Sequence, residues 1–142
     1  MDTYIKGIER ASCGMNNNFH VVDSKQAKAT NERLAEAILK LPLDEFDRKS
    51  HFFHGRYENL YLDALAIPGL SDIMEQARSE AAIFLEQPSE ALQLGFWINL
   101  MRKGDITSLH SHDDDDELLS AVYYVQVPEG SGLFKVHYQG QV

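Results

Sequence analysis

Three observations predict an α+β fold, helices first and an antiparallel β-meander after them. Apolar residues recur at helical spacing in two stretches before residue 92; beyond it the period switches to two; and no linker, repeat or low-complexity break divides the 142 residues. The same order is compatible with an all-β core carrying helical decoration. By size the chain is one domain, 1–142, with residues 1–92 as helical and irregular support and residues 93–142 as the β-meander.

The elements follow in order. Residues 1–23 are mixed; Asn16-Asn17-Asn18 marks a turn and Phe19-His20-Val21-Val22 suits a short strand. Leu34, Ile38 and Leu41 predict a helix over 31–41, ended by Pro42 and extended backward by residues 25–28. Residues 51–62, HFFHGRYENLYL, are rich in aromatics and histidine and read as extended or irregular. After Pro68-Gly69, a stripe of Leu70, Ile73, Met74, Ala77, Ala81, Phe84 and Leu85 predicts a second helix. Asp72 with Glu75 predicts a capping box near its start, and Pro88 marks its stop. Both helices are expected to be packing elements with one core face and one wet face.

Beyond residue 92, Leu94, Phe96, Ile98 and Leu100 alternate with Gly95, Trp97 and Asn99, the pattern of a strand buried on at least one face. Trp97 is then expected as a core aromatic and Asn99 as a sheet-edge amide. Lys103-Gly104-Asp105 is a turn, residues 106–112 alternate again, and residues 118–127 form a long β-rich segment stopped by Pro128-Glu129-Gly130-Ser131-Gly132. Residues 133–138 are the last candidate strand, with Phe134, Val136 and Tyr138 on one side.

Composition narrows the function. Hydrophobic residues make up 44% and charged residues 25%, ordinary values for a globular chain. The lone cysteine, Cys13, cannot form an internal disulfide, and it lacks a neighbouring base in sequence that would make it a reactive thiolate. No uncharged stretch approaches the roughly 20 apolar residues of a bilayer crossing, and the opening Met1-Asp2-Thr3 leads into no signal-peptide core. A cytoplasmic protein without a membrane partner is expected. The formal charge is −9, from 13 basic and 22 acidic side chains. Five of the acids form the run 113–117, and without them the balance is 17 acids against 13 bases, or −4. No basic stripe offers itself to phosphates, so nucleic acid is not an expected partner.

Chemistry concentrates in residues 104–120, GDITSLHSHDDDDELLS. In a strand, Ile106, Ser108, His110 and His112 share one side. Two imidazoles at that spacing can close on one cation, because neutral imidazole is a good ligand for first-row divalent metals. Asp114 continues the parity, and a carboxylate beside two histidines is the set that suits non-haem Fe(II) with positions left open. At roughly 3.3 Å per residue the outer two of these three side chains start about 13 Å apart. One ion takes all three only if the chain bends sharply after His112; a third ligand from a distant strand is easier. The plain alternative is a solvated loop whose charges protect a sheet edge. His51 and His54 flank Phe52-Phe53 and are expected to pack or face solvent rather than serve a site. Arg102 and Lys103 are likewise read as solvated turn charges.

Several of these stretches resemble a family of Fe(II)/2-oxoglutarate-dependent oxygenases. They are RYENLY at 56–61, Phe96-Trp97-Ile98-Asn99, and LHSHDDDDELLSAVYYVQVPEGSG at 109–132. In that family a His-x-His or His-x-Asp pair follows a Trp-x-Asn strand, and a Leu-Ser-x-Val-Tyr-Tyr strand comes next, here Leu119 to Tyr124. The resemblance implies a partial double-stranded β-helix of jelly-roll or cupin-like form, with the N-terminal helices packed on its sheet. It implies Fe(II) and 2-oxoglutarate as cofactors, His110 as the first iron ligand, and His112 or else Asp114 as the second. The substrate would be a small molecule or a peptide, and the reaction a hydroxylation. A second similarity, in the spacing Gly104, His110-Ser111-His112 and Glu117, is to the first metal motif of cupins, where Glu117 would be a ligand. That motif expects glycine at Tyr124, and a cupin-like metal-binding protein or isomerase is the alternative reading. A non-catalytic relative is another.

The oxygenase family also carries a distal histidine and an arginine for the 2-oxoglutarate carboxylate. No arginine follows Arg102, the only later histidine is His137, and the tail after Gly132 departs from the family pattern. An eight-stranded barrel needs roughly 60–85 residues, and residues 93–142 number 50. The expectation is a barrel present in about half, its third ligand drawn from Asp114, Glu117, His137 or a histidine beyond the chain. A homo-oligomer is expected to complete the sheet, because unpaired strand edges and bare apolar faces favour association.

Overall fold

The computed structural model describes residue 22 and residues 27–112, 116–132 and 134–135. The expected Asn16-Asn17-Asn18 turn, the strand near Phe19, and Cys13, Asp114 and His137 lie outside the described residues, as does most of the last expected strand.

The first helix, α1, spans Ala27–Lys40. Its backward extension from the 31–41 pattern is therefore observed, starting at residue 27. Leu34 and Ile38 are buried, a helical turn apart on the core face, and Pro42 cannot continue the helix. A 3-10 turn, Leu43–Glu45, follows. Lys49 Nζ secures it by donating to the carbonyls of Leu43 (3.0 Å) and Phe46 (3.4 Å).

The sheet lies where the sequence suggested extended or irregular chain. Strand β1, Arg48–Phe53, pairs antiparallel with β2, Arg56–Tyr61, in the register Arg48↔Tyr61, Ser50↔Asn59, Phe52↔Tyr57 and Phe53↔Arg56. The two-residue loop His54-Gly55 has φ of 47° and 80°. Two successive left-handed residues make the tight turn whose twist matches that of paired strands. One hairpin face carries a ladder: Arg48 stacks on the Tyr61 ring (3.9 Å to its centroid) and Phe52 meets Tyr57 edge-on. The other face carries Arg56, Glu58 and Leu60.

Helix α2 is Leu70–Leu85, as the stripe predicts. Its start differs from the expected Asp72–Glu75 box. The N-cap is Gly69, at φ 90°, with no side-chain cap, and Asp72 sits inside the first turn, where its charge favours the helix dipole. A Cβ at Gly69 would lie 3.5 Å from Thr30 Cγ2, so the start of α2 passes close to α1. The helix ends in a paired-carbonyl stop: Gln87 N–H donates to Ala82 O (3.0 Å) and Glu86 N–H to Ile83 O (3.3 Å), with Glu86 left-handed at φ 53°.

One core unites these elements: Leu34 and Ile38 of α1, Phe46, Leu60 of β2, Leu62, Ile67, and Leu70 and Ile73 of α2. Phe96, Ile98, Leu100 and Val125 pack against it from the C-terminal part. The period-two reading of residues 93–101 is thus visible in burial. It does not become a strand of the expected length: only Ile98 pairs, exchanging two bonds with Leu60 (2.8 and 3.0 Å). Trp97 points away from the core and is 42% exposed, so it is not the core aromatic the pattern suggested. Among the described residues, the segments around 106–112 and 118–127 form no ladder with each other. A β-ladder is made by a neighbour's backbone, and among the described residues neither segment pairs with one. The α+β class holds; the sheet of the described residues is the hairpin, with no jelly roll around it. No helix among the described residues is long and apolar enough to cross a membrane.

Candidate metal site

The site is built from β2 outward. Arg56 and Glu58, two residues apart on one face of β2, reach across to the chain that leads into His110. The Arg56 guanidinium donates through Nη1 to Asn99 Oδ1 (2.8 Å) and Leu100 O (3.4 Å). Through Nη2 it donates to Ile106 O (3.1 Å) and Thr107 Oγ1 (3.4 Å). Asp105 Oδ2 stands 3.7 Å from its Nε, an ion-pair distance too long for a hydrogen bond. Asp105 also closes its own turn, accepting from Arg102 N–H at 2.7 Å while its N–H donates to Arg102 O (3.0 Å). Asn99 is therefore an arginine partner on the edge of the core, not merely an edge amide.

Glu58 is the one carboxylate in the core of the described residues, at 4% exposure. Burial alone would push its pKa up. Against this, Ser108 donates its backbone N–H to Oε1 (2.8 Å) and its hydroxyl to Oε2, and Arg56 and His110 add favourable charge. The balance holds the carboxyl below its ordinary value, as expected when bonds to the charged form outweigh desolvation.

Beyond Ser108 stand the two predicted ligands. His110 Nδ1 lies 3.0 Å from Ser108 O. His112 Nδ1 lies 2.7 Å from Glu117 Oε1, and Ser120 Oγ is a longer neighbour at 3.5 Å. A carbonyl and a carboxylate can only accept, so Nδ1 carries a proton in both rings, and in the neutral imidazole Nε2 is then the nitrogen with the lone pair. That is the form a metal-binding histidine takes when its second nitrogen is tied down. The rings stand edge to face, 4.9 Å between centroids, both open to solvent. The alternate-side argument therefore brings His110 and His112 together. It does not place Asp114, which lies outside the described residues. Among the described residues no three of His, Cys, Asp and Glu form a group able to hold a metal ion. Glu117 meets His112 at Nδ1, the nitrogen turned from any metal at Nε2, so its observed contact is that of an outer partner.

Residues 95–141 match the family model described as "Putative 2OG-Fe(II) oxygenase". Over that stretch the family resemblance holds. The oxygenase match takes in Trp97, Asn99, His110 and His112, covers a third of the chain, and continues to residue 141 through the tail that was expected to depart from the family pattern. Residues 56–61, which also suggested the oxygenases, lie outside it. No curated protein and no solved structure matches the chain. The family implies Fe(II) and 2-oxoglutarate, and the two imidazoles present suit such an ion in donor type and tautomer.

The sequence reading missed Arg56 and Glu58 as parts of this site and gave Ser108 no role beyond sharing a side with the histidines. The signal was available: an arginine and a glutamate two apart in a strand share a face, here with the apolar Leu60. A charge on a core-facing position needs a partner.

His51 and His54 remain apart. Both are exposed, and His51 Nδ1 contacts Ser50 Oγ (2.9 Å) and Asn59 Nδ2 (3.1 Å) within the hairpin.

Proposed function

We propose that the chain is a non-haem Fe(II)/2-oxoglutarate-dependent dioxygenase that hydroxylates a small molecule or peptide in the cytoplasm. His110 and His112 would be two of the iron ligands. What supports the reading most is a single feature: both imidazoles commit Nδ1–H to an oxygen acceptor, which leaves Nε2 for a metal in the neutral rings, and the rings stand 4.9 Å apart between centroids. Bound iron supplies the oxygen chemistry that side chains cannot perform, with 2-oxoglutarate as the two-electron donor. The chain's own residues hold the ligand pair. Ser108 and Glu117 fix the ring orientations, and Arg56 with Glu58 fixes the segment that carries them. A third ligand would come from outside the described residues, with Asp114 and His137 the candidates in sequence.

The test is aerobic 2-oxoglutarate consumption with added Fe(II), compared between the chain and His110→Ala. Iron-dependent consumption lost in the variant is the expected result. Retained metal binding without any consumption would overturn the oxygenase reading in favour of a cupin-like metal protein. Absence of metal binding would leave a non-catalytic relative.

A further inference from the structure

We propose that Glu58 is a positioning residue for His110, acting through Ser108; the proposal rests on the reading of His110 as a metal ligand. The two lie 52 positions apart in sequence and on different elements. Glu58 uses one carboxylate oxygen for the Ser108 N–H at 2.8 Å and the other for the Ser108 hydroxyl. Ser108 is thereby gripped at both of its donors, so neither its side chain nor the peptide plane that carries its N–H can rotate without losing a charge-assisted bond, and the Cα from which the next peptide plane departs is held in place. Its third polar group, the carbonyl, accepts from His110 Nδ1 at 3.0 Å. The orientation of that carbonyl decides which imidazole nitrogen keeps the proton.

The neighbouring contacts agree. Arg56 holds the two preceding residues, at Ile106 O and Thr107 Oγ1. The segment is thus fixed at 106, 107 and 108, immediately before the ligand pair. Glu58 is buried while His110 is exposed, so an ordered interior anchors a ring that solvent would otherwise leave free to turn. A purely structural brace would need the bonds to Ser108 but would be indifferent to the tautomer of His110. Positioning makes the tautomer depend on Glu58.

The experiment reads that dependence without turnover. The metal-free, nitrogen-15-labelled chain at pH 8 gives long-range proton–nitrogen correlations that report the tautomer of each ring. His110 should show the Nδ1–H form. Glu58→Gln removes the charge and leaves a single neutral amide oxygen as acceptor for the two Ser108 donors, and Ser108→Ala removes the hydroxyl; each should shift His110 toward the Nε2–H form or a mixture. Each should also weaken Co(II) binding by about tenfold, the lower end for an outer-shell partner. Ser108→Thr keeps both donors and should restore the original pattern. If Glu58→Gln does not fold, Ser108→Ala carries the comparison. Folded variants with an unchanged tautomer and unchanged Co(II) affinity would overturn the proposal. A chain that binds no Co(II) but shows the tautomer shift would instead sink the ligand reading and leave the positioning role standing.

Discussion

Glu58 shows how a single buried group sets a measurable property of the molecule. Its carboxyl titrates below the usual 4.5 in the folded chain, because Ser108, Arg56 and His110 together outweigh its burial. A carboxyl depressed by folding stabilises the native state fully above its unfolded pKa, near 4.5, and that contribution drains away as pH falls through the folded value. Glu58→Gln should therefore flatten the decline of urea stability below about pH 4.5, and an unaltered acid limb would contradict the assignment. Backbone geometry makes two simpler forecasts. Gly55 occupies the left-handed second position of the hairpin turn with nothing within 4 Å of a built Cβ. Gly55→Ala should then cost about 1 kcal/mol from conformation alone, read as a lower denaturation midpoint. Glu86 is left-handed and exposed at the end of α2. Glu86→Gly should raise the midpoint, by about 0.5–1 kcal/mol.

At the scale of elements, the arginine on β2 ties the hairpin to the segment before the histidines. Arg56→Ala removes four donated contacts and leaves Glu58 without its guanidinium neighbour. The expected loss is about 2 kcal/mol in urea denaturation, the scale of losing hydrogen bonds to a charged group. A loss no larger than that of a surface substitution would show that the brace holds nothing. Both helices were legible in the sequence because their apolar stripes coincide with the packed core: Leu34 and Ile38 in one, Leu70 and Ile73 in the other. The hairpin was less legible. Its strands carry Arg48, Lys49, Arg56 and Glu58 among aromatics, and the polar positions obscure the period until their partners are known. His54-Gly55 is also a weaker turn signal than Asn-Gly. The period of 93–101 was read correctly as a buried face, yet periodicity does not supply a backbone neighbour. The His110–His112 pair was legible from spacing. The Nδ1 partners were not, since Ser108 O is a backbone atom and Glu117 is one acid among five.

For the whole molecule, apolar matter is unevenly covered. Leu34 is fully buried, while in the C-terminal part Leu109 is 81% and Phe134 62% exposed, with Ile106, Leu118 and Val122 also bare. Apolar side chains on backbone without ladder partners favour association. We propose that a second copy of the chain covers this part, and sedimentation velocity at micromolar concentration should give a mass above that of one 142-residue chain. A monomer would rule it out. Whether or not two copies meet, the chemistry depends on the two rings. The decisive measurement is an anaerobic calorimetric titration of the chain with Fe(II), repeated on the His110→Ala/His112→Ala double variant. One ion bound per chain, and none in the variant, is the expected result. Equal binding by both proteins, or no binding by either, would contradict the site.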